Sequence, residues 1–166
     1  MSDDTTILIL TTGGTIDKVY FDAKSDYEVG DSVLEELLNQ AHVKSTYEIR
    51  PVMRNDSLDM TDEDRETLCR IVSEAREDKI VITHGTDTMT DTAAALASIV
   101  NKTIVITGAL APARFAQSDA TFNVGMAFAA VQSLNSGVYI VMNGQVFEAH
   151  AVRKDRANNQ FIALDK

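Results

Sequence analysis

The chain contains one cysteine, Cys69, which excludes an internal disulfide. It falls on the apolar stripe of a predicted helix and reads as a small buried hydrophobe rather than a reactive thiol. Positive charge is scarce: 15 Lys and Arg stand against 25 Asp and Glu, a net charge of −10. That balance argues against nucleic acid or an anionic membrane as partner, because both favour a basic face. No apolar run approaches the roughly 18 residues of a membrane span. The acidic start, Met1-Ser2-Asp3-Asp4, has no basic segment leading into an apolar one, so a cytoplasmic setting is expected. Internal repeats and low-complexity tracts are also missing, as is any obvious linker before the last 20 residues. The 166 residues, 45% apolar, suit one globular domain.

Apolar runs then give the architecture. Residues 6–10, 79–83, 103–106 and 138–142 are continuous rather than alternating, as in strands buried on both faces of a parallel sheet. A further strand is predicted from Tyr47 to about Val52, ending near Pro51. Helical spacing follows Ser32-Val33-Leu34-Glu35, a capping-box pattern, and Thr61, an N-cap before an acidic first turn. Two more helices are predicted after Asp87, apolar nearly all round, and over 119–134. Strand alternating with helix predicts an open, mostly parallel α/β sheet of about five strands with helices on both faces. The tail, 145–166, predicts a small β-hairpin. The stretch from Thr11 to Gly30 is long and polar, and is expected to be an irregular, mobile loop.

Such sheets bind ligands beyond the C-terminal ends of their strands. The polar, Gly-bearing turns 11–15, 54–59, 83–87 and 107–109 all fall there. Each has a plain structural reading. Gly13-Gly14 can serve positive φ, and Thr15 can cap the next segment. Thr86 and Asp87 are good N-cap residues, although one suffices. Ser57 and Asp59 are ordinary turn residues. Lys154, within Arg153-Lys154-Asp155-Arg156, reads as a solvated charge. No Gly-Lys-Thr and no G-x-G-x-x-G is present, which counts against nucleotide sites. His84 reads as a core histidine, because His42 and His150 lie in unrelated elements, and no metal or organic cofactor is expected.

Thr12-Gly13-Gly14-Thr15-Ile16 and Thr83-His84-Gly85-Thr86-Asp87-Thr88-Met89 together resemble the paired signatures of bacterial-type L-asparaginases. The likeness extends through residues 25–30, 57–60, 108–112 and 141–143. It covers essentially the whole chain, but only the N-terminal domain of the usual two-domain enzyme. One domain, 1–166, is therefore expected, without the usual second. The resemblance implies an α/β fold and hydrolysis of L-asparagine to L-aspartate and ammonia, with L-glutamine as the alternative substrate. Thr15 would be the nucleophile, with an acyl-enzyme or a directly hydrolysed intermediate. Tyr27 would close over it, and Thr86, Asp87 and Lys154 would form a second triad. Gly14, Ser57, Asp59, Gly85, Thr86 and Asp87 would bind substrate. A threonine hydroxyl needs a base to take its proton, and burial can prepare a lysine for that role.

Three departures accompany the likeness. The second domain, which in two-domain enzymes helps bind the substrate's amino group, has no counterpart in the sequence. Leu58 stands where relatives commonly carry a glutamine that contacts the same group. Asp17 adds a charge just past the nucleophile turn. These predict weaker substrate binding, and a homo-oligomer, dimer or tetramer, that covers surface left by the second domain. The alternatives are a catalytically weak module that senses asparagine or aspartate, and an amidase for a larger amide.

Overall fold

A computed structural model describes residues 5–164. The chain begins with β1 (Ile7–Gly13), a hairpin of β2 (Lys18–Phe21) and β3 (Asp26–Val29), and α1 (Leu34–Gln40). It continues through β4 (Tyr47–Asn55), α2 (Asp62–Glu74), β5 (Lys79–Thr83) and α3 (Met89–Leu96). Then come β6 (Thr103–Thr107), α4 (Ala120–Ser133), β7 (Gly137–Met142), β8 (Gln145–Glu148), β9 (Val152–Asp155) and β10 (Gln160–Ala163).

The main sheet runs β4-β1-β5-β6-β7-β8, parallel except for β8. The five parallel strands are those expected from the apolar runs. Alternation along β1 sorts the two layers. Ile7 and Ile9 pack with α1 and α4, around Leu34, Leu38, Val124 and Val131. Leu8 and Leu10 pack with α2 and α3, around Leu68, Val72, Met89 and Leu96. Each such side chain, fully buried, contributes about 1.5–3 kcal/mol of hydrophobic stabilisation.

The tail holds the expected hairpin and adds one strand, β8, to the main sheet. Asn143 and Gly144, at φ 52° and 68°, form a two-residue turn that folds β8 back onto β7. The hairpin is β9 with β10, and it places Lys154 opposite Phe161. Phe161 and Val152 join the α2–α3 side of the core, which anchors the hairpin. Asn143 Oδ1 accepts the Phe161 amide at 2.7 Å and ties it to the sheet.

Five expectations need correction. The Thr11–Gly30 stretch is not an irregular loop, because β2 and β3 pair through it, Lys18 with Val29 and Phe21 with Asp26. β4 continues past Pro51 to Asn55, since it is an edge strand and can spare one amide; the register against β1 shifts between Thr11 and Gly13. No capping box starts α1; Ser32 Oγ accepts only the Leu34 amide, at 3.3 Å. The outer face of α3 is exposed at Ala94, Ala95 and Ala97, whose small side chains leave little apolar surface to cover. Cys69 is half-buried, its thiol 3.5 Å from the Ala95 carbonyl oxygen, and burial pushes its pKa up. The capping box on α2 does form, between Thr61 and Asp64.

Candidate active site

In chain order the five parallel strands lie 2-1-3-4-5, so the direction of winding reverses between β1 and β5. The crevice beyond their C-terminal ends is where such sheets hold ligands. Thr12 Oγ1 donates to the Thr83 carbonyl at 2.8 Å across this gap and fixes the two turns together. Thr83 itself is fully buried, and its hydroxyl has no partner among the described residues.

Glycines let three turns meet. Gly13 and Gly14 have φ of 98° and 90°, where a side chain is strained. A Cβ on Gly14 would stand 2.4 Å from the Gly85 amide nitrogen, and one on Gly85 would stand 2.5 Å from Ser57 Cβ. Backbone therefore contacts backbone at Gly14 and Gly85. The next residues along, Thr15 and Thr86, emerge from that contact. Gly14 N–H donates to the Asn55 carbonyl at 2.9 Å, which holds the first turn against the end of β4.

Thr86 and Asp87 do not cap α3. Thr88 occupies the N-cap position, and its hydroxyl donates to the Ser57 carbonyl at 2.7 Å. Ser57 is buried, and its Oγ accepts the Asp87 amide at 3.2 Å. With capping excluded, the Thr86 and Asp87 side chains are free for other partners. Lys154 reaches both: its Nζ lies 2.7 Å from Thr86 Oγ1 and 2.9 Å from Asp87 Oδ1. The Lys154 side chain is only 12% exposed, which overturns its reading as an ordinary solvated charge. Arg156 adds a second cation, with Nη2 3.2 Å from the Asp87 carbonyl and Nε 3.5 Å from Oδ1. It was missed because the run around it reads as surface charge, and it stands in the turn just after β9, where no local pattern singles it out.

Two residues line the back of these turns. His84 is buried; Nδ1 lies 2.7 Å from the Gly85 carbonyl and Nε2 2.7 Å from Thr92 Oγ1. Burial lowers its pKa to about 4. It is the core histidine expected, and it braces the Gly85 backbone. Asp17 is buried too, and burial raises its pKa to about 6, against smaller opposing effects of the Val33 amide and Arg114. Its Oδ1 accepts Val33 N–H at 3.1 Å, and its carbonyl accepts Gly30 N–H at 2.9 Å. Asp17 thus ties the turn that carries Thr15 to the far end of the β2–β3 hairpin, instead of presenting a loose charge beside the site.

The side chains of three expected site residues are not joined to this cluster by any hydrogen bond among the described residues. Tyr27, on β3, is exposed and stacks edge-on against Tyr20 at 5.3 Å and Phe115 at 5.8 Å. Asp59 is exposed in a short turn after β4. Thr15 is half-buried, and its hydroxyl has no hydrogen-bond partner among the described residues. A partly buried lysine between a hydroxyl and a carboxylate, with a second hydroxyl on the adjoining turn, is an arrangement suited to nucleophilic catalysis.

Comparison with known proteins agrees with this geometry. Residues 6–163 match the family described as asparaginase, N-terminal. The chain is 36% identical over 159 residues to L-asparaginase 2 of Escherichia coli (strain K12), covering 89% of this chain and 46% of that protein. It is 33% identical over 156 residues to a glutamyl-tRNA(Gln) amidotransferase subunit of Methanococcus vannielii, covering 84% and 34%. Among solved structures, the thermostable L-asparaginase from Thermococcus kodakarensis superposes with a TM-score of 0.84 at 28% identity, covering 97% of this chain and 52% of that one. The chain spans half or less of the length of the curated relatives it matches. On its sequence match, its strand order and its paired threonine turns, this chain belongs to the asparaginase family.

Proposed function

We propose that the chain hydrolyses L-asparagine to L-aspartate and ammonia, with Thr15 as nucleophile. In this reading Thr15 Oγ attacks the side-chain amide carbon and the C–N bond breaks. The hydroxyl proton leaves on the departing ammonia, relayed by Tyr27 when the β2–β3 hairpin closes over the site. A water that gives a proton to Lys154 through Thr86 then attacks the ester carbon, the bond to Thr15 Oγ breaks, and Lys154 returns the proton through Thr86 to Thr15 Oγ, releasing L-aspartate and restoring the Thr15 hydroxyl. The observation that carries the reading is the Lys154 contact with Thr86 and Asp87, set beside the Gly14 turn. Asp87 and Ser57 hold the amino-acid end of the substrate, and no metal or organic cofactor takes part.

The experiment is ammonia release with millimolar L-asparagine, beside L-glutamine. The name of the amidotransferase relative supports a second reading, an amidase for a larger amide. Faster turnover of an amidated conjugate than of free asparagine would favour it. Thermal stabilisation by asparagine or aspartate without turnover would favour a sensor instead. The same reading includes a cytoplasmic homo-oligomer, dimer or tetramer. Exposed Val100 and Phe122 are apolar surface such contacts would cover, and a monomeric mass by light scattering at micromolar concentration would count against it.

A further inference from the structure

A cavity of about 260 Å³ lies between β4, the end of β1 and the segment that joins β3 to α1. None of Thr15, Thr86, Asp87 or Lys154 lines it, so it is separate from the candidate active site. It far exceeds the roughly 30 Å³ of one water and falls just below the usual range of about 300–1,000 Å³ for ligand sites, so it suits a small molecule. Asp17, only 1% exposed, forms part of its lining. Asp17 Oδ1 accepts the Val33 amide at 3.1 Å, while Oδ2 has no hydrogen-bond partner among the described residues. Above about pH 6 this carboxyl is ionised, and a buried carboxylate with one hydrogen bond is costly until a counter-charge reaches it. Asp31 and Glu35 bring two more carboxylates to the cavity, and Arg54 one guanidinium, already paired with Asp31 at the exposed rim. Arg114, the other cation near Asp17, comes from the loop before α4 and donates to the Asp31 carbonyl at 3.5 Å. Even with Arg114 counted, three carboxylates outnumber two guanidiniums. The β4 wall is apolar, made by Ile49, Pro51 and Met53.

We infer that this cavity is a binding site for a small organic ammonium ion, whose cationic head pairs with Asp17 and whose carbon body lies against β4. The ammonium donates to Oδ2 in a charge-assisted hydrogen bond and supplies the counter-charge that the buried carboxylate lacks. An anion would meet a wall of net negative charge. A bare metal ion is not favoured, because no group of three or more His, Cys, Asp or Glu among the described residues is placed to hold one. Asp17 closes the short turn Thr15–Asp17, and Gly13 also lines the cavity, so the site adjoins the turn that carries Thr15 from both sides along the chain. The inference stands independently of the proposed hydrolysis.

The test is calorimetric titration of n-butylammonium chloride into the native chain at neutral pH and constant ionic strength. Saturable binding at one site is expected, with the neutral isostere n-butanol at least about tenfold weaker. Asp17→Asn, which keeps the shape and removes the charge, should raise the dissociation constant at least about tenfold. Asp87→Asn, at the candidate active site, should leave it within about twofold, since distant sites act independently. Met53→Lys brings a cation of its own into the cavity and should abolish binding; it decides the question if Asp17→Asn does not fold. Four results would each overturn the inference: no saturation below about 10 mM, n-butanol binding as well as the cation, a smaller effect of Asp17→Asn, or loss of binding in Asp87→Asn. Ammonia release plays no part in this readout, so a failure here and a failure of the proposed hydrolysis are told apart.

Discussion

Lys154 Nζ sits 2.7 Å from Thr86 Oγ1, although 68 residues of chain separate the two. The β9–β10 hairpin makes the contact, held by Phe161 in the core and by the Asn143 side chain. The fold therefore places a lysine where a threonine hydroxyl can exchange a proton with it. Lys154→Met keeps the aliphatic stem and removes the amine. It should lower kcat for amide hydrolysis by about 10²–10⁴-fold, the usual range for a lost acid–base group. Far-ultraviolet circular dichroism should show the fold retained. Activity within threefold of native would exclude the lysine as base.

Gly14 faces Gly85 across the switch point, with no room for one carbon between them. Gly14→Ala combines a strained φ of 90° with a collision against backbone. The expected cost is at least about 2 kcal/mol, read as a lower midpoint in urea unfolding at unchanged slope. Gly125 offers a control, since a Cβ there meets nothing within 4 Å. Gly125→Ala lies inside α4 and should stabilise by up to about 1 kcal/mol.

Asp17 and His84 impose opposite pH dependences. Asp17 binds its proton more tightly folded than unfolded, at about 6 against 3.8. Its contribution is fully present below pH 4 and is lost as pH rises through about 6. His84 binds its proton more weakly folded, at about 4 against 6.5. Its contribution is present above pH 6.5 and is lost as pH falls through about 4. Each amounts to about 3 kcal/mol at 1.36 kcal/mol per pKa unit, so the two nearly cancel between pH 4 and 6.5. Asp17→Asn removes one side of the balance. Relative to native, it should gain about 3 kcal/mol in urea stability on going from pH 4 to pH 7. Parallel stability profiles would contradict the buried, protonation-linked position of Asp17.

The sequence disclosed the sheet because its central strands are buried on both faces. Residues 80–82 and 104–106 are wholly apolar, and no alternation obscures them. The hairpin at 18–29 was hidden because it lies off the main sheet, and no residue of β2 or β3 is fully buried. Its strands lack the buried period-2 stripe that identifies a strand. β4 ran past Pro51 because only its place at the sheet edge makes a missing amide harmless, and edge position is a property of topology.

The candidate site was legible where its residues are adjacent in the chain, as in Thr86 and Asp87. It was opaque where they are not. From local composition Lys154 is one charge among four. Its burial comes from a hydroxyl and a carboxylate on another element, and family resemblance supplied what local pattern did not. Arg156 had neither signal. Ser57 is a turn residue by pattern, yet its hydroxyl and carbonyl hold the start of the segment leading into α3.

The central claim is that the Thr15 hydroxyl attacks an amide beside the Lys154-bonded Thr86. The most direct measurement is ammonia release from L-asparagine by the native chain and by Thr15→Ala, each shown to be folded by its thermal transition. The account predicts turnover in the native chain and a loss of at least about 10³-fold in the variant. Thr15→Ala releasing ammonia at the native rate would contradict it and remove Thr15 as nucleophile.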